Sequence, residues 1–133
     1  MRILVVTQHF WPENFRINDI VEGFVQDGLS VDVLCGLPNY PKGEWFDGYS
    51  ADGPFEEVYK GARVFRAREI PRKGNTGKTI FLNYVSWPLY AGVKASARRV
   101  RCGVLLQHQP RADVLACHPV CKKAPYIVYE LRP

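Results

Sequence analysis

Glu13, Asn14 and Arg16 lie a few residues beyond the apolar run Ile3-Leu4-Val5-Val6 and directly before an amphipathic stretch. A carboxylate, an amide and a guanidinium at the start of a helix suit an anionic ligand, because free backbone N–H groups and the helix dipole favour negative charge there. The G-x-G-x-x-G fingerprint is missing, which argues against a dinucleotide site of that kind; a helix start with a solvated arginine is the plainer reading. Arg72-Lys73-Gly74-Asn75-Thr76-Gly77-Lys78-Thr79 imitates a P-loop, but G-x-x-x-x-G-K-[ST] requires glycine where Arg72 stands, and Pro71 breaks the strand that should lead in. It reads as a basic surface loop. Cys117, His118 and Cys121 are spaced to share a helix face, with His108 approaching from a strand end. Pro119 interrupts that set and no C-x-x-C pair exists, so buried thiols and a surface histidine are expected rather than a metal centre. Nothing places a third group to orient a Cys–His nucleophile.

These groups need a frame to hold them. The run Ile3-Leu4-Val5-Val6 is short, β-branched and continuously apolar, the pattern of a strand buried on both faces. Ile17, Ile20, Val21, Phe24 and Val25 recur at helical spacing, with Asp19, Glu22 and Asp27 between them. That predicts an amphipathic helix, capped by Asn14 and closed at Gly28. Val31-Asp32-Val33-Leu34-Cys35 is a second strand and completes a βαβ unit with a right-handed crossover. Residues 36–53 form a long loop whose aromatics, Tyr40, Trp45, Phe46 and Tyr49, favour order. Further along, a third strand is expected around Arg63-Val64-Phe65-Arg66, within residues 58–70, and a helix broken or bent near Pro88 over residues 79–101. A fourth strand at Val104-Leu105-Leu106, a helix over residues 113–123 and a fifth strand at Tyr126-Ile127-Val128-Tyr129 follow. The alternation predicts an α/β fold: a Rossmann-like, doubly wound parallel sheet. Ligands of such sheets sit at the carboxyl ends of the strands, which puts residues 8–16, 36–42 and 107–111 on one rim.

The 133 residues make one domain, and 47% hydrophobic with 23% charged residues exclude a disordered or low-complexity chain. The net charge of +5 conceals an asymmetry: residues 1–59 carry three basic side chains against ten acidic, residues 60–133 fifteen against three. The basic half suits phosphate or an anionic membrane surface; nucleic acid is not expected, because charge alone would support it and no recognition motif is present. No secretory apolar region follows Met1-Arg2, which predicts a cytoplasmic chain with reduced thiols. The longest apolar stretch, residues 80–93, is interrupted by Asn83, Ser86 and Pro88 and is too short to span a bilayer. Its aromatics, Trp87 among them, with Arg98 and Arg99 beyond, read as a peripheral membrane contact; the plainer reading is a core helix with a basic end.

Phe10-Trp11-Pro12-Glu13-Asn14-Phe15-Arg16-Ile17-Asn18-Asp19 and Gly36-Leu37-Pro38-Asn39-Tyr40-Pro41-Lys42-Gly43 follow the first two strands. Together they resemble the N-terminal domain of a family 4 glycosyltransferase, and within that family the fucosamine-type transferases of bacterial O-antigen, capsule and colanic-acid assembly. Leu82-Asn83-Tyr84-Val85-Ser86-Trp87 is similar to that group's L-N-Y-x-S-F segment, and Gln109-Pro110 to its Q-P after the fourth strand. The resemblance runs through nearly the whole chain, in order. It implies the acceptor-side half of a GT-B enzyme: two Rossmann-like domains across a cleft, retaining chemistry, no required metal and no other cofactor. The partners it implies are a nucleotide-sugar donor, held mainly by a C-terminal domain, and a saccharide acceptor, often lipid-linked, at the inner face of the cytoplasmic membrane. Carried over by position, Glu13, Asn14 and Arg16 face the donor phosphates or the acceptor, and Asn39, Tyr40 and Lys42 line the acceptor side.

The chain departs from the family beyond Gln109-Pro110, where small residues and a hydrophobic helix are usual and Arg111, Asp113, Cys117, His118 and Cys121 stand instead. Tyr129-Glu130-Leu131-Arg132-Pro133 resembles the E-V-R that precedes a D-L-W-P, with Pro133 in place of the aspartate. Residues 1–133 are therefore expected to be an incomplete N-terminal domain, truncated before its donor-binding partner and inactive in transfer by itself. The alternative is a non-catalytic single-domain α/β module that binds phosphate or an anionic membrane surface.

Overall fold

A computed structural model describes residues 2–71, 76–96, 104–106 and 127–128 of the chain. The elements run β1 (Arg2–Val6), α1 (Ile17–Gln26), β2 (Ser30–Gly36), β3 (Glu56–Tyr59), β4 (Ala62–Ala67), α2 (Gly77–Ser96), β5 (Val104–Leu106) and β6 (Ile127–Val128). They build one six-stranded sheet in the order β3-β4-β2-β1-β5-β6. β4, β2, β1, β5 and β6 pair in parallel, an order compatible with a Rossmann-like fold. The sheet is not wholly parallel as expected: β3 pairs antiparallel with β4. The two join through Lys60 and Gly61, both at positive φ (45° and 92°), the backbone of a tight two-residue hairpin. Reading residues 58–70 as one strand segment passes over that turn, because Glu56, Glu57 and Lys60 hide the short edge strand behind charge.

Strand alternation divides the core between the two faces of the sheet. Val5, Val31, Val33, Cys35, Ala62 and Val64 cluster with Ile17 and Val21 of α1. On β1 and β2, Leu4, Val6 and Leu34 alternate with these and are also buried, so the central strands are covered on both sides. α1 closes as expected at Gly28, where Gly28 N–H donates to Val25 (3.0 Å) and Leu29 N–H to Phe24 (3.0 Å). Its start differs. The N-cap is Arg16, without a side-chain cap, and Asn14 is exposed. Asn18 instead turns its amide back to the Glu13 carbonyl (2.7 Å), because the chain between Phe10 and Asn18 is already folded into turns of its own.

α2 runs through Pro88 without the expected break and presses Asn83, Ser86, Trp87 and Ala91 inward. Trp87 is fully buried at 0% exposure, which corrects its reading as a membrane contact: its ring belongs to the core. Phe81, Leu82, Val85, Leu89, Tyr90 and Val93, by contrast, are exposed along the helix. No helix among the described residues is long and apolar enough to cross a membrane. The Arg72–Asn75 stretch of the P-loop look-alike, Arg98 and Arg99, the expected helix over residues 113–123 and the Cys102, Cys117, Cys121 and His118 positions lie outside the described residues, as does the rim segment 107–111.

Candidate functional site

The β1–β2 ladder continues past the end of β1: Thr7 N–H donates to Leu34 (3.0 Å) and Gly36 N–H to the Gln8 carbonyl (2.9 Å). This sets Gln8 beside Gly36 at the carboxyl edge, where the chain leaves both strands for the loops that carry the motifs. Glycine is needed there. A Cβ at Gly36 would stand 2.9 Å from both the Gln8 carbonyl oxygen and Glu69 Oε1, and a backbone atom cannot yield to it.

Glu13 ties the two loops together. Its Oε1 accepts the backbone N–H groups of Asn39 (2.9 Å) and Tyr40 (2.7 Å), and its Oε2 lies 2.9 Å from His9 Nδ1. Two backbone donors on one buried carboxylate are strong, charge-assisted bonds. The side chain of Asn39 continues the network, donating from Nδ2 to the Leu37 carbonyl (2.9 Å) and to Glu69 Oε1. Glu69, just past β4, accepts on Oε2 from Gln8 Nε2 (3.0 Å), which also donates to Asn83 Oδ1 (3.0 Å). Asn83 and Ser86 then bracket one residue: Asn83 Nδ2 donates to the Ile70 carbonyl (2.8 Å), and Ser86 Oγ accepts from Ile70 N–H (2.9 Å). The segments ending β1, β2 and β4 and the first half of α2 are thus joined by one buried polar network.

A second buried cluster braces the same edge. Arg66, fully buried, donates to Glu57, to the carbonyls of Gly36 (2.9 Å) and Trp11, and lies 4.8 Å from the Tyr49 ring centre. Tyr49 O–H donates to Glu57 Oε2 (2.8 Å), which anchors the long loop after β2 to the β3–β4 hairpin. Cys35 sits beneath Arg66, and burial pushes its thiol up to about 12 against the opposing pull of the guanidinium, so it is an unreactive core thiol.

The six residues expected to contact ligand therefore divide. Glu13 and Asn39 are buried and act as braces, whereas Asn14, Arg16, Tyr40 and Lys42 are exposed. Gln8, His9, Glu69 and Asn83 join the site from outside that set. Gln8 and His9 lie on the expected rim, and Asn83 lies within the L-N-Y-V-S-W segment. Glu69 had one signal, as the sole acidic residue between Lys60 and Ala112. Among the described residues no three His, Cys, Asp or Glu side chains are grouped as metal ligands would be.

Burial pushes the Glu69 carboxyl up to about 7, opposed by the hydrogen bond from Gln8. The unfolded carboxyl titrates near 4.5, so between these values the folded chain holds a proton that the unfolded chain has released. The stabilisation is complete below pH 4.5 and is lost as pH rises through 7. At about 1.4 kcal/mol per unit, stability from this group should fall by roughly 3 kcal/mol across the window. Urea melts of wild type and Glu69→Gln at several pH values check this: the difference between the two should slope with pH, and parallel curves would refute it.

No protein-family model matches the chain, and no curated protein matches it.

Proposed function

We propose that the chain is the N-terminal, acceptor-side domain of a retaining GT-B glycosyltransferase, resembling family 4, that serves surface polysaccharide synthesis. The reaction moves a sugar from a nucleotide-sugar donor to a saccharide acceptor carried on a lipid. One observation carries this reading. Three of the segments that carry the resemblance, at residues 10–19, 36–43 and 82–87, lie far apart in sequence, yet their buried polar residues Glu13, Asn39 and Asn83 are joined through Glu69 and Gln8 at one carboxyl edge. In an open α/β sheet that edge is where a ligand binds. The exposed Asn14, Arg16, Tyr40 and Lys42 offer an amide, two cations and an aromatic face there, suited to a phosphate-linked sugar. Catalysis stabilises charge on the departing nucleotide diphosphate while the acceptor hydroxyl attacks from the same face. A donor-binding domain supplies most of that stabilisation. The cytoplasmic face of the inner membrane is the working location.

Amide-resolved NMR titration tests the reading. A short-chain prenyl diphosphate carrying N-acetylglucosamine should shift the amides of residues 13–16 and 39–42, and a nucleotide sugar should leave them little changed. No shift on the rim with the prenyl-linked sugar would overturn it.

The exposed apolar face of α2 favours a second reading, a non-catalytic module on an anionic membrane. Phe81, Leu82, Val85, Leu89, Tyr90 and Val93 present apolar surface on the basic half of the chain, as interfacial helices do. Salt-sensitive binding to anionic vesicles, lost in Leu82→Asp/Leu89→Asp and unaccompanied by any response to the prenyl-linked sugar, would put this reading ahead.

A further inference from the structure

We infer that His9 is the hydrogen-bond acceptor that orients a hydroxyl of the saccharide on this rim, its Nε2 lone pair held outward by Glu13. The inference rests on the acceptor-side reading and adds to it a residue and a role.

The carboxylate of Glu13 accepts two backbone N–H groups on Oε1, and its Oε2 faces His9 Nδ1 at 2.9 Å. A carboxylate can only accept, so Nδ1 is the nitrogen that carries the hydrogen. In the neutral ring Nε2 is then the unprotonated nitrogen with a lone pair. The same carboxylate–histidine arrangement fixes tautomer and ring orientation wherever an imidazole must present one nitrogen to a partner.

Ring packing fixes the direction as well. The imidazole stacks on Phe15, with centroids 5.2 Å apart and planes 16° from parallel, and Tyr40 closes on both rings at 5.4 Å. Among the described residues nothing bonds Nε2, and the side chain keeps 12% of its surface accessible. Tyr40, 46% exposed, sets an aromatic face beside it. A fixed lone pair next to an open aromatic face matches a pyranose, which offers C–H groups to the ring and O–H donors at its edge. A metal would need further ligands around the imidazole, and the described residues bring none into a group.

Glu13→Gln is the decisive variant. Its side-chain oxygen can still accept from Asn39 and Tyr40, but its NH₂ group donates to Nδ1 and forces the hydrogen onto Nε2. His9→Phe removes the lone pair and keeps the stacking. Long-range ¹H–¹⁵N spectra above pH 7.5 should show the Nδ1–H tautomer in the wild-type chain and the Nε2–H tautomer in Glu13→Gln, a change that a purely structural histidine would not link to binding. The prenyl diphosphate-linked N-acetylglucosamine should shift His9 Nε2 in the wild type and bind about tenfold more weakly to both variants. A wild-type Nε2–H tautomer overturns the inference at once. Shifts at residues 39–42 with His9 Nε2 unmoved and affinity unchanged in His9→Phe overturn it while leaving the acceptor-side reading intact. No response anywhere on the rim removes both.

Discussion

Arg66→Met should destabilise the chain by about 3 kcal/mol, the lower end of the range for breaking a buried ion pair, because Glu57 keeps 23% of its side-chain surface exposed. Methionine approximates the volume of the arginine stem, so packing loss is a small part of the effect. The larger part is polar. Glu57 would lose its cation, and the carbonyls of Gly36 and Trp11 would lose their donor in the interior. Tyr49 would also lose the guanidinium beside its ring. Urea unfolding provides the measurement, and the double variant Arg66→Met/Glu57→Leu separates the causes. Removing both charges should recover only the part due to the carboxylate left without its partner, because the Gly36 and Trp11 carbonyls still lack their donor. A single-variant loss under about 1 kcal/mol would show that the cluster is solvated in practice.

Glu13→Ala is the second large effect, about 3–5 kcal/mol. Alanine strands the N–H groups of Asn39 and Tyr40, each costing about 1–3 kcal/mol when left unsatisfied, and frees the His9 ring. The loop after β2 then loses its tie to the loop after β1. Amide exchange at Asn39 and Tyr40 should accelerate much more than exchange in β1 or β2, and Glu13→Gln should retain most of the protection. Equal acceleration throughout would mean global unfolding and refute a local brace.

The two carboxylates on the rim illustrate what can be read from a sequence and what cannot. Glu13 is recognisable because it occupies a motif beside a predicted helix start, and the rim itself follows from strand direction. Its task is not recognisable. The same residue that looks like a ligand to phosphate is spent on backbone N–H groups 26 and 27 residues away. Glu69 looks like one acidic residue in a basic stretch until β4 carries it alongside Gln8, Asn39 and the bare backbone of Gly36. Asn14 shows the opposite error: a favourable cap by type, left exposed because the preceding turns start the helix two residues later.

The chain's own order of residues determined its parallel strands, its first helix and the edge at which the loops after β1 and β2 leave the sheet. These follow from apolar periodicity and chain direction, which are local properties of neighbouring residues. Only the tertiary structure decided that β3 turns back against β4, that Trp87 packs inward while Phe81 and Leu89 remain outside, and that Glu13 meets both His9 and the loop after β2. Each depends on a partner brought from a distant segment or on which side of a helix meets the sheet. Burial and hydrogen bonding across such distances are set by the packed fold, and local pattern carries no record of them.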